Sequence, residues 1–585
     1  MNSKPNGILK PYFKETWLIY LSSITLHAVA SIIYAFFPKV LGDFTDRLQS
    51  GDLITHDIMR YSLLLLMIGA GHVLIGGYGQ YLVMYVGRLF EFITRRKLFS
   101  HFLGLSEHYY SRNGTGKLLS YFMNDITGVR ESISMGVNQM AMGTMLLFSC
   151  IGAMILSDIP LYLIALSVGP LFLIPWIVTR FGPAIRKRSL KVQESLGAMT
   201  ESAEEQFGGM RVTKKFAVEP IMIERFGTYV DRIRDNQLSL VRMSSLFQAL
   251  VPFLGSMSLI MALALGGYLT VTERITLGNF VALTLYIRML MNPLQQIGNV
   301  INTVQRSRAS LQRLNELVAV QPDIIEAEDA VPVELDRSVV HIKGLTFSYP
   351  ETSQPALRQI DLIIEPGMTI GIVGRTGSGK TTLVKLLLRT YEAPEHSIQI
   401  GGTDIRNIKL ESLRSQIAYV PQDGFLFSNT IRENISFAKR QAGQEEIEIA
   451  AKQAQIYSSI MEFPNEFETK LGERGVTLSG GQRQRTSLAR GLIKQAPFMI
   501  LDDSVSAVDA VTETEILQTI QEVRRGKTTI IIANRISALK HADLIIVMDE
   551  GRIVQRGKHE KLLAEPGQYA ALYALQEEGS QHAAF

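Results

Sequence analysis

At 585 residues the chain is longer than one hydrophobic core usually serves, so at least two domains are expected. The formal charge of +4 is near balance, and the Lys and Arg residues are scattered along loops, which gives no basic face for nucleic acid. A single cysteine, Cys150, excludes an intramolecular disulfide and a thiolate metal cluster; within an apolar run it reads as a small apolar filler.

Composition changes along the chain. Crossing the bilayer as a helix takes about 20 mostly apolar residues. Six such stretches precede residue 305: Trp17–Phe37, Tyr61–Val86, Met135–Leu156, Pro160–Phe181, Phe247–Val271 and Leu277–Val300. The first starts too late, runs too long and lacks a small-residue cleavage site, so it is expected to be a true span and not a signal peptide. Positive charge marks the cytoplasmic side. It gathers between spans two and three (Arg88, Arg95, Arg96, Lys97, Arg112, Lys117) and between four and five (Arg186, Lys187, Arg188, Lys191, Lys214, Lys215). Both termini and everything after the last span then face the cytoplasm, and the expected location is the cell membrane, multi-pass.

The two cytoplasmic segments carry a helical apolar pattern, as in Val192, Leu196, Met199, Ala203 and Phe207. It is interrupted at Tyr110–Gly116 and Gly208–Phe216, which are either contacts to the cytoplasmic domain or plain loop tips. Asn113-Gly114-Thr115 matches a glycosylation acceptor but lies on the wrong side of the membrane to be used. Polar groups inside spans are costly, so His27, His72, Arg288, Gln295 and Gln296 are candidates to line a substrate path. The competing reading makes each an interhelical hydrogen-bonding or snorkelling group.

An acidic, Pro-containing linker is expected over 321–337, separating a membrane domain (1–320) from a soluble α/β domain (338–585). There the strand-like run Met368–Val373 leads into Gly374-Arg375-Thr376-Gly377-Ser378-Gly379-Lys380-Thr381, a P-loop, followed by a predicted helix Thr382–Arg389. Its glycines let backbone N–H groups wrap phosphate, Lys380 neutralises β- and γ-oxygens, Thr381 reaches Mg²⁺, and the helix N-terminus, with Thr382, favours the anion. Downstream, Phe498–Asp502 is a buried-strand pattern ending in a carboxylate suited to hold Mg²⁺ through water.

Between P-loop and carboxylate lies Leu478-Ser479-Gly480-Gly481-Gln482. In this order the motifs resemble the ATP-binding-cassette (ABC) ATPases. Six spans ahead of one cassette are similar to the half-transporters of type IV ABC exporters of the bacterial multidrug class. The resemblance implies an α-helical membrane domain with six transmembrane helices fused to a cytoplasmic α/β P-loop ABC ATPase domain. It implies ATP and Mg²⁺ as cofactors and dimerisation through Ser479, Gly480, Gly481 and Gln482. It also implies that Tyr349 stacks on adenine, that Gln422 senses the γ-phosphate and metal and touches the membrane domain, and that Thr469–Gly475 precedes the signature. Ser506–Asp509 then links two cassettes, and the loop tips near Asn113 and Thr213 act as coupling helices.

The family pattern places a general-base Glu after the strand-terminal Asp and a His in a later loop. This chain has Asp503 and Asn534 there. The shorter carboxylate pulls back by about one C–C bond, roughly 1.5 Å, and an amide cannot become cationic. Binding of ATP is expected to survive and turnover to fall. In this the chain resembles the degenerate-site subunit of bacterial heterodimeric multidrug exporters, which implies a second half-transporter with Glu and His, a lipid bilayer and a small amphipathic substrate as partners. The alternatives are a homodimeric lipid or drug exporter that tolerates Asp and Asn, and a regulatory or sensor subunit. With no peptidase domain ahead of the first span, a peptide-processing exporter is not expected.

Overall fold

A computed structural model describes residues 7–583 except 52–53, 353, 473–474 and 476–477; the side chains at 295, 297–299, 301–302 and 578–583 are also outside the description. The chain divides into two compact units. One comprises the residues up to Gly104 with Arg112–Gln321, the other Leu105–Ser111 with the chain from Pro322 on.

The first unit is helical: α1 (Leu9–Ser50), α2 (Thr55–Gly104), the end of a short α3 (Glu107–Asn113), α4 (Thr115–Leu156), α5 (Leu161–Gly208), α6 (Met210–Phe216), α7 (Glu219–Val271) and α8 (Leu277–Val318). Among the described residues α1, α2, α4, α5 and α7 are long and apolar enough to cross a membrane. The sixth expected span lies in α8, where Arg288, Pro293 and Gln296 interrupt the apolar run. Small residues let helices approach. A Cβ on Gly42 of α1 would lie 2.6 Å from the carbonyl oxygen of Gly278 on α8, beside the 2.6 Å bond from Gly278 N to Asp46 Oδ1. Ser23 on α1 donates to the Gly79 carbonyl of α2 at 2.7 Å. The charged ends are tied by ion pairs, Arg130 Nε to Glu91 Oε2 at 3.2 Å and Arg313 to the buried Asp125.

The interhelical reading of the intramembrane histidines holds in this packing. His27 Nε2 lies 2.8 Å from Asn138 Oδ1 of α4, and His72 Nδ1 lies 3.1 Å from the Ala30 carbonyl with its ring stacked on Tyr34 at 4.3 Å. Arg288 is exposed, Gln296 is half-buried, and the side chain of Gln295 is outside the described residues. The expected helical pattern lies within α5, and its apolar residues divide: Val192, Met199 and Ala203 are half-buried beside the buried Ser195 and Ser202, with Ser195 Oγ accepting from Asn236 of α7 at 2.7 Å, whereas Leu196 and Phe207 are exposed.

The second unit contains two sheets. β1 (Val340–Phe347), β2 (Leu357–Ile364), β4 (Ile398–Ile400) and β5 (Thr403–Asp404) form an antiparallel sheet in the order β2-β1-β4-β5. The larger sheet runs β10-β9-β3-β8-β7-β6, built from β3 (Thr369–Gly374), β6 (Ile417–Val420), β7 (Phe498–Asp502), β8 (Thr528–Ile532), β9 (Leu544–Asp549) and β10 (Arg552–Gly557). All its neighbours are parallel except β10 on β9. Every residue of β7 and β8 is buried, as expected for parallel strands covered on both faces. α9 (Lys380–Leu387), α10 (Gly480–Leu492), α11 (Ala510–Val523) and α12 (Gln568–Ala583) supply helices relevant to the site. The stretch expected as a linker is partly built into this unit: Leu335 is buried and its N–H donates to Gln416 Oε1 at 2.9 Å, while Val331 bridges to Ile408.

Candidate nucleotide site

Register assembles the site. Asp502 pairs with Ile532, and Ile532 with Ile372, so the carboxyl ends of β3, β7 and β8 fall at one edge of the sheet. Open parallel sheets bind ligands at that edge. Residues a step beyond the strand ends, the P-loop, Asp503, Asn534 and, after β6, Gln422, are thereby neighbours although widely separated in sequence.

The P-loop leaves β3 at Gly374, where a Cβ would sit 2.1 Å from the Met548 carbonyl oxygen, so only glycine fits. Gly377 and Gly379 have φ of 85° and 97°, the left-handed region that glycine enters without strain. With Gly379 as N-cap, α9 starts at Lys380, two residues ahead of the predicted start. Arg375, Thr376 and Gly377 are exposed at the tip. Lys380 Nζ donates to the carbonyls of Gly374 at 2.7 Å and Arg375 at 3.0 Å, folding the ammonium back over the loop. Burial lowers its pKa, opposed by Asp503 and Asp502. Ser378 Oγ is buried with no hydrogen-bond partner. A cradle of this kind fits a polyphosphate, which supplies the acceptors that these groups lack.

Asp502 is buried, and burial raises its pKa, with Asp503 adding to the rise and bonds from Thr381 and Tyr419, both at 3.4 Å, and Lys380 opposing it. A buried carboxyl group with a raised pKa beside a second carboxyl group and a hydroxyl fits a divalent cation, whose charge would offset the burial. Asp502 and Thr381 would hold Mg²⁺, which supplies charge neutralisation between phosphate oxygens. Among the described residues no group of three or more His, Cys, Asp or Glu is placed to hold a metal.

The two deviating residues touch each other. Asn534 Nδ2 donates to Asp503 Oδ2 at 2.9 Å, and Gln422 Nε2 donates to the same oxygen at 3.2 Å. Asp503 has φ 47°, a region that Asp tolerates better than most residues. Its own carbonyl accepts from Ser506 Oγ at 2.9 Å, and Gln484 binds the Gln422 carbonyl at 3.3 Å and the Ala507 N–H at 2.9 Å. Gln422, Asp503 and the Ser506–Asp509 stretch thus form one hydrogen-bonded unit.

Tyr349 is half-buried; its hydroxyl lies 2.9 Å from Thr382 Oγ1 and its ring meets Tyr391 edge-on at 5.1 Å. Ser479 caps α10 in a capping box, accepting from Gln482 N at 3.2 Å while Gln482 Oε1 accepts from Ser479 N at 3.0 Å. Gly480 is open to solvent, and a Cβ on Gly481 would lie 3.0 Å from the Ala507 carbonyl. Among the described residues no hydrogen bond joins Ser479–Gln482 to the P-loop. Of the loop ahead of it, Glu473 and Arg474 lie outside the described residues.

Sequence patterns did not reveal Glu107, whose carboxylate binds Lys385 Nζ of α9 at 2.6 Å, or His108, whose ring lies 6.5 Å from that of Tyr391. Both precede the expected contact stretch Tyr110–Gly116. Tyr419 and Gln484 were equally silent, the first an aromatic on a strand, the second one polar residue in the polar start of a helix.

Strand ends, P-loop and capped signature helix define a P-loop ATPase cassette joined in one chain to helices of membrane length. Residues 19–294 match the family model of the ABC transporter transmembrane region, and 357–506 match the family model described as ABC transporter. The chain is 35% identical to the probable multidrug resistance ABC transporter ATP-binding/permease protein YheI of Bacillus subtilis, over 97% of this chain and 96% of the relative. It is 33% identical to an ATP-dependent lipid A-core flippase of Syntrophus aciditrophicus, over 85% of this chain and 82% of the relative. A bacterial Atm1-family ABC exporter with ATP bound shares the fold, with a TM-score of 0.79, 24% identity, and coverage of 97% of this chain and 99% of that one. The chain belongs to the ABC transporter family, as a fused transmembrane and ATPase half-transporter, a translocase-type enzyme.

Proposed function

We propose that the chain exports amphipathic compounds or drugs across the cell membrane as one half of a heterodimer, contributing the ATP site that hydrolyses slowly. The carrying observation is the bond between Asp503 and Asn534, which puts both departures from the family pattern at one oxygen. With Gln422 also donating to Asp503 Oδ2, two amides anchor one oxygen of a carboxylate that is a carbon shorter than the family's general base, which holds it back from the attacking water. The P-loop contacts are untouched, so ATP and Mg²⁺ bind through Gly374–Thr382, Tyr349 and Asp502. Ser479, Gly480, Gly481 and Gln482 complete the partner's site in trans, where the partner supplies its own Glu and His.

Two further observations support a partnered chain. The open signature face and the exposed Leu196, Phe207, Ile221 and Ile223 of the α5 and α7 stalks need a cover. In this reading α8 completes six spans through Leu277–Val300, both termini are cytoplasmic, and the short α3 and α6 are coupling helices. The multidrug relative supports a drug-like substrate; the flippase relative supports a lipid, as the second reading.

The test is ATP turnover by the purified chain in lipid nanodiscs, alone and mixed with candidate half-transporters that carry Glu and His. The expected outcome is very low turnover alone and recovery on mixing. Robust turnover by the chain alone refutes the asymmetric assignment, and ATP binding without movement of any substrate into inverted vesicles favours a sensor.

A further inference from the structure

The turn that carries Asn534 is gripped from the far end of the chain. Gln576, on α12, donates from Nε2 to the Asn534 carbonyl at 2.7 Å and accepts at Oε1 from the Ile536 N–H at 2.9 Å. One side-chain amide therefore spans Arg535, from the Asn534 carbonyl to the Ile536 N–H, fixing the backbone immediately after the residue that reaches Asp503. On the opposite flank, Arg535 Nη1 pairs with the buried Glu513 of α11 at 2.5 Å. The turn thus has two anchors, one ionic and one an uncharged amide.

Gln576 is placed by a helix that is itself docked. Tyr569, Leu572, Tyr573 and Gln576 recur at the spacing of one helical face. Tyr569 is fully buried, its hydroxyl 2.7 Å from His559 Nδ1 and its N–H donating to Gln555 Oε1 at 3.0 Å. Tyr573 lies under the Lys540 ammonium, 5.6 Å from the ring centroid, directly after the turn. An amide at the fourth position of an otherwise aromatic and aliphatic face is poor packing by itself. It is well suited to satisfying a donor and an acceptor that a turn leaves open.

We infer that Gln576 is a positioning residue for the γ-phosphate-facing turn: through Asn534 it sets where the amide meets Asp503, so that the docking of the C-terminal helix controls phosphate chemistry in this cassette. The inference rests on the role assigned above to Asn534, and the Gln576 bonds are independent of it.

The experiment uses the full chain in nanodiscs, with Gln576→Ala, Gln576→Glu, Asn534→Ala and the double variant Gln576→Ala/Asn534→Ala. Amide exchange at Ile536 is expected to speed up about 3- to 10-fold in Q576A, the range for losing one neutral hydrogen bond. Q576E keeps the acceptor and protects Ile536 as the parent does, which also shows that the helix remains docked. Residual turnover of radiolabelled ATP is expected to fall about 3- to 10-fold in both Gln576 variants with KM within about twofold. On the N534A background Q576A is expected to change turnover no further, because the two act in series. Unchanged exchange at Ile536 in Q576A, or an equal loss of turnover with and without Asn534, overturns the inference. If N534A itself leaves turnover and its KM unaltered, the role of Asn534 fails, while the exchange result still decides whether Gln576 holds the turn.

Discussion

Replacing Asp503 by Glu lengthens the carboxylate arm by one C–C bond, about 1.5 Å. In the native arrangement Asp503 Oδ2 sits 2.9 Å from Asn534 Nδ2 and 3.2 Å from Gln422 Nε2. An advance of that size carries the carboxylate past both donors and toward the P-loop phosphates. Because a misplacement of about 1 Å costs on the order of 10²-fold, D503E is expected to raise turnover at this site by about 10- to 100-fold. The backbone works against it: φ of 47° suits Asp better than Glu, and the strain is about 1 kcal/mol. That is a fall in Tm of roughly 2–4 °C if the cassette unfolds as a unit of its size.

Asn534→His alone is expected to gain less than about tenfold, since a better phosphate contact does little for a carboxylate that is too short. Together the two changes should exceed the sum of their separate effects in free-energy terms, as residues in direct contact couple by about 0.5–3 kcal/mol. The assay is steady-state ATPase of the four proteins in nanodiscs at saturating Mg²⁺-ATP, with Tm followed in parallel. Equal, low turnover in all four, with Tm and nucleotide binding intact, refutes the claim that Asp503 and Asn534 limit this site.

Other expectations follow from single contacts. Asp502→Asn removes a carboxylate whose pKa burial has raised. A raised folded pKa contributes stability only below the unfolded value of about 3.9 and loses it as pH rises through the folded value, so at neutral pH D502N should raise the Tm of the nucleotide-free chain. The same variant should lose most of the increment given by Mg²⁺-ATP, about 2.7 kcal/mol at a hundredfold excess over Kd in the parent; an undiminished increment would count against Asp502 as a metal-holding group. Ser479→Ala should cost about 1 kcal/mol of stability through the lost cap and also impair the partner's site, whereas Ser479→Asp should restore the cap without restoring turnover, read by Tm and ATPase of the mixed pair. Lys385→Ala breaks the 2.6 Å bond to Glu107; substrate-stimulated turnover should fall several-fold with ATP affinity unchanged, and an equal loss of affinity would place its effect in the nucleotide site instead.

What was legible in the sequence was the local chemistry. The glycines of the P-loop, the alternation of charge and apolar runs, and the strand Phe498–Asp502 are each specified within a few residues, and that strand was found with its expected bounds. Helix starts slipped where one residue decides: Gly379, in the left-handed region, lets α9 begin at Lys380. What escaped depends on register. Asp503 and Asn534 are 31 positions apart and meet because β7 and β8 pair Asp502 with Ile532; Glu107 reaches Lys385 across 278 positions. No pattern of residue types encodes such pairings. Their consequence is chemical as well as geometric. In sequence the Asp and the Asn look like two separate losses of catalytic groups, whereas in the folded chain one is the acceptor of the other's amide. A longer carboxylate would abandon that amide, and an imidazole would need its own donor orientation toward the same oxygen. Either reversion made alone breaks a contact before it restores a function, so the pair is a single unit of design and must be tested as one.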